Sequence, residues 1–414
     1  MNVGLHAFAG YGIELEYMIV DRQTLSVLPL ADKLLFQEAG ACTPEVKRGM
    51  LAWSNELVLH LVELKNPDPS PALEILAGAF QSEAERINRA LEPMGAQLMP
   101  TAMHPWMDPV AETRLWPHDN AAIYQTYDRI FDCKRHGWAN LQSMHVNLPF
   151  AGDAEFERLH AAVRLVLPIL PALAASSPIA EGRPAGPMDF RMESYRMHPL
   201  RIPSIIGRVI PETVRSRAEY ESNILVPMYR DIAPLDPEGV LHHEWLNARG
   251  AIPRFDRGAI EIRVIDMQEC PRADLAIAAI STAIVRALYD AGLATLEAQQ
   301  EIGTEALAEI LLACIRDADL AVIDNAAYLQ LLGFPGRCCQ AGELWRHLDA
   351  TMSQGSPGLP QIWRDPLHLI LQHGPLSRRI LRALGPEWTE SGRREVYRDL
   401  CACLEEGRMF QGLQ

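Results

Sequence analysis

Hydrophobic and polar residues alternate along several short segments of the chain, and this period-two pattern predicts β-strands. Longer segments carry apolar residues three and four positions apart, which predicts amphipathic helices. The predicted strands are Gly12–Asp21, Val58–Lys65, Gln97–Met103, Gln142–Leu148, Leu241–Ala248 and Ala259–Ile265. The predicted helices are Pro71–Leu91, Ala121–Cys133, Ala154–Ala174 and Arg272–Leu296.

The order of these segments predicts an α+β fold. The strands do not alternate with helices, and several are polar on one face, which favours a mainly antiparallel sheet with one face on helices and one face open. The stretch Ala175–Pro237 has no clear period, and a loop that long is usually functional. After Leu296 the pattern is nearly all helical. We therefore expect a catalytic α+β region over 1–295, with a helical C-terminal region over 296–414 packed on it and not independent.

The open face of the predicted sheet carries many ionisable side chains. Side chains two positions apart on a strand point the same way, so acids spaced by two residues share a face. One histidine, five carboxylates and an arginine are placed in or beside apolar strands by this rule. The pairs are Glu14 with Glu16, His145 with Asn147, and Glu261 with Arg263, and Glu63 lies on a further strand with Glu56 just before it.

This set of side chains indicates a metal site. Buried carboxylates cost several kcal/mol each unless they are paired, protonated or metal-bound, and clustering adds repulsion. Carboxylate-rich sites suit Mg²⁺ or Mn²⁺, and an arginine such as Arg263 on the same face can hold a γ-phosphate. A single strand glutamate is more often solvated, and His145 alone is more often a core residue. The prediction therefore depends on the whole set. The sequence has no Walker loop, GxGxxG turn or GxSxG elbow.

Composition and charge narrow the classes of partner. The chain has 414 residues and a formal net charge of −15, which argues against nucleic acid and anionic membranes. No apolar run approaches the roughly 20 residues that span a bilayer, and the first residues lack signal-peptide features. Eight cysteines are scattered without zinc-site spacing. We expect a cytoplasmic enzyme with reduced thiols.

Five segments, in chain order, resemble the type-2 glutamate–cysteine ligases: GIELEYMIVD, ELVLHLVELKN, MHVNL, ASSPIAEGR with a later YR, and GAIEIRVID. The resemblance covers about Gly12 to Leu293, and the helical tail more loosely. It implies the glutamine synthetase-like fold of the carboxylate–amine ligases, with a curved sheet forming a funnel-shaped active site. It also implies two or three Mg²⁺ or Mn²⁺ ions, with ATP as co-substrate. ATP would phosphorylate a carboxylate, typically the γ-carboxylate of glutamate, and an amine would attack the acyl phosphate to give an amide.

The resemblance also implies roles for particular residues. Arg263 would contact the nucleotide and stabilise the transferred phosphoryl group, and Glu261 would serve as a catalytic residue and a metal ligand. The implied metal ligands are Glu14, Glu16, Glu56, Glu63, His145 and Glu261. The predicted substrate-binding residues are Arg191, Tyr195, Arg196, Asn247 and Arg254.

Three departures leave the substrates open. Many relatives have a second histidine where this chain has Asn147, and Gln where it has Leu61; the run HGPLSRRI replaces a Gly-Thr-Gly-Ala-Asp-Arg run. We expect small-molecule substrates, namely a carboxylate, an amine and ATP, with homodimerisation left open. One alternative is a ligase that joins another amino acid to an amine other than cysteine. Others are a metal-dependent amide hydrolase without ATP, and a non-catalytic binding homologue, which the complete acid set disfavours.

Overall fold

The computed structural model describes residues 4–354, 358–386 and 389–412. Its strands are β1 (Gly12–Asp21), β2 (Glu45–Arg48), β3 (Leu51–Asn55), β4 (Leu61–Lys65), β5 (Ala96–Met99), β6 (Ser143–Pro149), β7 (Ile179–Ala180), β8 (Arg183–Pro184), β9 (Ala251–Arg254), β10 (Ala259–Asp266), β11 (Val322–Ile323) and β12 (Cys339–Gln340). Its α-helices up to residue 232 are α1 (Ala31–Ala39), α2 (Leu73–Leu91), α3 (Pro109–Glu112), α4 (Ala121–Phe131), α5 (His136–Ala139), α6 (Gly152–Val166), α7 (Leu170–Ala174), α8 (Phe190–Met197), α9 (Arg217–Tyr220) and α10 (Val226–Ile232). The later helices are α11 (Pro271–Tyr289), α12 (Leu296–Glu301), α13 (Thr304–Asp317), α14 (Ala326–Leu331), α15 (Ala341–Gln354), α16 (Gln361–His373), α17 (Leu376–Leu384) and α18 (Glu390–Glu406).

The central element is an antiparallel sheet with the strand order β2-β3-β4-β1-β6-β10-β9. The strand β5 also pairs with β1, over the half of β1 that β6 leaves free. Every pairing in this sheet is antiparallel. The predicted fold class, a mainly antiparallel open sheet flanked by helices, is confirmed.

The two faces of β1 have different environments. Ile13, Leu15 and Tyr17 are fully buried in the main hydrophobic core, which also includes residues of α2, α6 and α11. On the other face, Met18 belongs to a second core cluster that includes apolar residues of α17 and α18, for example Leu400. The C-terminal helices thus cover one end of this face and leave the end that carries the acids open.

Most strand predictions agree with the structure, and one is wrong. The first strand has the predicted bounds, Gly12–Asp21. The segment Leu241–Ala248 is not a strand; it contains a 3₁₀ turn, in which the amide of Asn247 donates to the carbonyl of Glu244 at 3.1 Å. Leu241, Leu246 and Ala248 are buried beneath this turn, so their spacing reflected burial and not a strand. The hairpin of β2 and β3 and the strand β9 were not predicted.

Two predicted helices are shorter than expected. The segment Ala154–Ala174 is divided between α6 and α7 by a 3₁₀ turn containing Pro168, which cannot donate a helical hydrogen bond. The segment Arg272–Leu296 ends as helix at Tyr289. The stretch Ala175–Pro237 is not structureless either, because it contains α8, α9 and α10.

A buried ion pair links the C-terminal helices to the residues that follow β10. Arg379 in α17 donates from Nη1 to Oε1 of Glu269 at 2.5 Å and to the carbonyl of Phe410 at 2.6 Å. Arg379 and Glu269 are 2% and 0% exposed. Arg379 lies in the run HGPLSRRI. The boundary at residue 295, between the predicted catalytic region and the helical C-terminal region, stays a prediction. In the described part of the chain, no helix combines the length and apolarity needed to cross a bilayer.

Replacing Arg379 with Met should destabilise the protein strongly. The substitution leaves the carboxylate of Glu269 buried without its cation, and breaking one side of a buried pair costs roughly 3–5 kcal/mol. Urea unfolding would measure this change. Arg230→Met removes the exposed pair with Asp231 and should change stability by less than about 1 kcal/mol. Equal losses in the two variants would contradict a structural role for the Arg379 pair.

Candidate active site

The strand registers bring the polar side chains together on the open face. In one row across the sheet, Glu16 of β1 lies opposite Glu63 of β4, which lies opposite Ser54 of β3. In a second row, Glu14 lies opposite Lys65 on one side and His145 of β6 on the other. Because antiparallel partners on one face are neighbours, acids far apart in sequence become adjacent.

The third row needs a glycine. Glu261 of β10 lies opposite Asn147 of β6, and Asn147 lies opposite Gly12 of β1. A Cβ atom at Gly12 would lie 2.9 Å from the Cβ of Asn147, closer than side chains pack. The absence of a side chain at Gly12 therefore leaves room for Asn147 between the two outer strands.

These rows form the floor of a cavity of about 610 Å³. All six predicted metal ligands line it, as do four further residues predicted to be catalytic or substrate-binding. The lining residues predicted from the sequence are Glu14, Glu16, Glu56, Glu63, His145, Glu261, Arg191, Tyr195, Arg254 and Arg263.

His145 lies at the centre of the acidic cluster. Its Nδ1 is 2.8 Å from Oε2 of Glu14 and 3.9 Å from Oε1 of Glu261, and its Nε2 is 3.8 Å from Oε1 of Glu16. One ligand atom from each of Glu14, His145 and Glu261 lies within 4.8 Å of the other two. Burial opposes the charged imidazole, but the hydrogen bond to Glu14 and the surrounding carboxylates raise the pKa of His145 to about 9.

A second group of acids lies beside this cluster. Glu16 accepts hydrogen bonds from the backbone amide of Ser143 at 2.7 Å and from its hydroxyl at 3.0 Å. Burial and the nearby charge of Glu63 keep the pKa of Glu16 above its usual value. Burial, together with the charges of Glu63 and Glu16, raises the pKa of Glu56 well above the ordinary range. Glu56 is therefore the carboxyl group of this set whose ionisation burial and its neighbours oppose most clearly.

Two arginines hold Glu261. The Nε of Arg263 donates to Oε1 of Glu261 at 2.6 Å, and Nη1 of Arg254 donates to Oε2 at 3.2 Å. Burial opposes ionisation of Glu261, but the charges of Arg263, His145 and Arg254 lower its pKa to about 2. The register of β10 against β6 shifts between Ile262 and Ile265, an irregularity common beside active sites.

Arg191 is positioned by a buried aspartate. Its Nε forms an ion pair with Asp266 at the end of β10, and its backbone amide donates to the hydroxyl of Ser177 at 3.0 Å. Arg191 is 1% exposed and lines the cavity, and its buried Nη2 has no hydrogen-bond partner among the described residues. The guanidinium therefore places a positive charge beside the cavity.

Two predicted substrate-binding residues do not line the cavity. The side chain of Asn247 donates to the hydroxyl of Tyr220 at 2.6 Å and is buried, so it acts in packing; only its carbonyl approaches Arg263, at 3.4 Å. Arg196 forms a two-bond ion pair with Glu193 on the same helix, at 2.7 Å for each bond. The side chain of Arg196 is satisfied within α8 and lies outside the cavity lining.

Sequence reasoning missed Lys65 and the side of the cavity facing the acids. Lys65 lies two residues after Glu63, so the same period-two rule could have found it; its Nζ is 2.8 Å from Oε1 of Glu63. The opposite side comes from α4, α5, the residue following α8, and the turn before β9, with no common local pattern. We call it the aromatic wall; it consists of Tyr124, Tyr127, Phe131, Trp138, His198 and Trp245.

The donor set of the floor fits hard divalent cations. Carboxylate oxygens with one imidazole are ligands that Mg²⁺ and Mn²⁺ accept, and a cation would offset the repulsion that raises the pKa of Glu56. Glu14, His145 and Glu261, whose ligand atoms lie close together, would supply one group of ligands. Glu16, Glu56 and Glu63 line the same cavity, but the described residues do not bring their ligand atoms together as closely. The floor therefore carries the types of ligand that the predicted metal would need.

Comparison with known families identifies the chain. A family model described as glutamate–cysteine ligase family 2 (GCS2) matches residues 11–399. The match supports a carbon–nitrogen ligase of the carboxylate–amine type as the class of enzyme. The chain belongs to glutamate–cysteine ligase family 2, and the resemblance seen in the sequence is confirmed.

The chain is also similar to individual proteins. An uncharacterised protein of Archaeoglobus fulgidus is 37% identical over 276 residues, covering 67% of this chain and 74% of the relative. A putative glutamate–cysteine ligase 2-3 of Rubrobacter xylanophilus is 28% identical over 284 residues, covering 67% and 69%. Among solved structures, the complex of the prokaryotic ubiquitin-like protein Pup with its ligase PafA aligns at 13% identity with a TM-score of 0.40. That alignment covers 97% of this chain and 65% of the solved chain.

Replacing Glu56 with Gln should stabilise the metal-free protein, and the gain should grow with pH. Because the folded-state pKa of Glu56 is raised, the folded protein holds its proton more tightly, and wild-type stability falls as pH rises above the usual carboxyl pKa. Gln cannot ionise, so the difference should widen between pH 5 and 8, to at least about 1 kcal/mol. Urea unfolding in EDTA would measure it, with exposed Glu238→Gln as control. A difference independent of pH would contradict this account.

Proposed function

We propose that the protein is an ATP- and Mg²⁺-dependent carboxylate–amine ligase that forms an amide through an acyl phosphate. The observation that carries the proposal is the convergence of Glu14, His145 and Glu261 with Arg263 on one open sheet face of a chain in this family. A phosphate-bearing substrate needs both elements, because metal ions and arginine neutralise the charge that develops during phosphoryl transfer. Mn²⁺ would serve in place of Mg²⁺ at the same ligands.

The donor substrate of this proposal is glutamate, reacting through its γ-carboxylate. The names of several relatives, putative glutamate–cysteine ligases, favour this donor. Glutamate has a second carboxylate that must be held while the first reacts. The guanidinium of Arg191, which lines the cavity and is held by Asp266, would supply a cation for it. Tyr195, which also lines the cavity, lies beside Arg263.

The proposed reaction has two steps. A γ-carboxylate oxygen of glutamate attacks the γ-phosphorus of ATP, and the bond from that phosphorus to ADP breaks. The amine nitrogen then attacks the acyl carbon, loses a proton, and displaces inorganic phosphate. Bound divalent ions would supply charge neutralisation for the phosphates. Arg263 would hold the transferred phosphoryl group, with Glu261 and the backbone carbonyl of Asn247 accepting hydrogen bonds that orient its guanidinium. Positioning and charge neutralisation would do most of the catalytic work.

The metal ligands should be essential for turnover. We expect Glu14→Gln or Glu261→Gln to lower kcat by at least about 10²-fold, the scale of losing a main electrostatic element. Activity should also disappear in EDTA and return with Mg²⁺ or Mn²⁺. Glu238→Gln, an exposed loop substitution, is the matched control. Near-wild-type turnover in both folded variants would remove these residues from the proposed metal site.

An isotope experiment separates the ligase from a metal-dependent amide hydrolase. With ¹⁸O in the γ-carboxylate of glutamate, ATP and an accepted amine, the label should appear in released phosphate, because the acyl-phosphate oxygen leaves with phosphorus. Mass spectrometry of the phosphate and of the amide gives the result. Amide formed beside unlabelled phosphate would rule out the intermediate for glutamate. Amide cleavage without nucleotide would favour the hydrolase, which uses a metal-bound water.

A further inference from the structure

Five of the six rings of the aromatic wall are linked by ring contacts, and all six line the same cavity as the acidic floor. The ring centroids of Tyr127 and Trp138 are 5.1 Å apart, and those of Tyr127 and Trp245 are 5.9 Å apart. Phe131 extends the surface at 5.5 Å from Trp138, and His198 lies 4.2 Å from Trp138 on the other side. These separations are those of favourable aromatic pairs, so the rings hold one another in a fixed arrangement.

The wall side of the cavity carries no formal charge at neutral pH. The cavity-lining residues within 120–141, 195–205 and 245–248, all described by the structure, include no Asp, Glu, Lys or Arg. Burial lowers the pKa of His198 to about 3, so this imidazole is neutral. Burial also raises the pKa of Tyr127 and Tyr124, which keeps both phenols protonated. A ligand group that contacts this side therefore meets apolar ring faces and edges.

The wall also adjoins the proposed reaction centre. The hydroxyl of Tyr124 accepts a hydrogen bond from Asn55 at 2.9 Å, and Asn55 immediately precedes Glu56 on the acidic side. At the other end, His198 packs 4.7 Å from Tyr195, which lies beside Arg263. A molecule lying on the wall would thus place one end among the acids and Arg263.

Cysteine is a poor match for this surface. Its α-carboxylate needs a cation, but the cations that line the cavity lie on the floor side. There Lys65 is paired with Glu63, and both Arg254 and Arg263 are paired with Glu261. Arg257, in the turn between β9 and β10, lies 4.0 Å from Asp256, and Arg191 serves the donor in the proposed function. A carboxylate held against the wall would be desolvated without a partner, which is costly.

We propose that the aromatic wall binds the amine acceptor, and that this acceptor carries an aromatic or similarly flat apolar group and no carboxylate beside its amine. The proposal rests on the proposed function, because it names the second substrate of the same reaction. The flat group would stack on Trp245 and Tyr127. The nitrogen would reach the acyl carbon held between the wall and the floor.

Binding tests the proposal without turnover. In calorimetry with Mg²⁺ and glutamate present, 2-phenylethylamine should bind at least about 10-fold more tightly than n-butylamine, and more tightly than L-cysteine. Trp245→Leu should weaken the binding of 2-phenylethylamine by about 10-fold, whereas Trp245→Phe should retain most of the affinity. Tyr289→Leu, which removes a ring packed with Phe8 outside the cavity, is the matched control and should have no effect.

Other binding results would overturn the proposal. Equal affinities for 2-phenylethylamine and n-butylamine, or an unchanged affinity in folded Trp245→Leu, would show that the wall does not select a ring. The competing occupant is the adenine of the nucleotide. Calorimetry with ADP distinguishes it: a loss of ADP affinity in Trp245→Leu equal to or larger than the loss for the amine would assign the wall to adenine.

A turnover assay separates failure of this inference from failure of the proposed function. Hydroxylamine traps an acyl phosphate as a hydroxamate and needs no acceptor pocket. Hydroxamate formation with glutamate and ATP, together with at least about 10-fold higher kcat/KM for 2-phenylethylamine than for cysteine, supports both proposals. Hydroxamate formation together with a higher kcat/KM for cysteine would overturn the inference about the acceptor but would still support the proposed ligase. Absence of both hydroxamate and amide contradicts the proposed function, and calorimetry then decides whether the wall binds the ring.

Discussion

The register of β1 between β4 and β6 is the constraint on which the site depends. It sets Glu14 against His145 and Lys65, and Glu16 against Glu63, so that like charges are forced onto one small area of the sheet. Because side chains alternate along a strand, a slip of one residue would send these acids into the main core and bring Leu15 to the cavity. The backbone hydrogen bonds between strands, and not the carboxylate side chains, therefore determine which ionisable groups meet on the floor.

Burying these carboxylates lowers the stability of the fold, and their neighbours offset only part of that loss. Arg254 and Arg263 hold Glu261, Lys65 holds Glu63, and Ser143 holds Glu16. Among the described residues, the carboxylate of Glu56 accepts only a weak hydrogen bond from the amide of Leu57, at 3.3 Å. A site built in this way is less stable when empty than an apolar sheet face would be, and active sites commonly trade stability for function in this manner. The deep cores on both sides of the sheet, and the buried link between Arg379 and Glu269, provide the rigid support.

The sequence predicted the floor well because its signal is local. Period two alone places Glu14 with Glu16 and Glu261 with Arg263, and the structure keeps both pairs on the cavity side. The same period was misleading at Leu241–Ala248, where apolar spacing reflected burial beneath a turn, and it could not identify Asn247 as a packing residue. No local sequence pattern indicates the aromatic wall, because Tyr127 and Trp245 come from elements more than a hundred positions apart. Which distant segments meet across a cavity is decided by tertiary packing.

The separate origins of floor and wall bear on how this lineage can diversify. The floor belongs to strands whose register is shared, so an insertion in β1 or β6 would disturb every row at once. The wall belongs to short helices and a turn outside the sheet, where ring substitutions leave the strand pairing unaltered. Gene duplicates could therefore exchange wall residues one at a time while keeping the arrangement of the floor intact. Ancestral reconstruction should find substitutions concentrated in α4, α5 and the turn before β9.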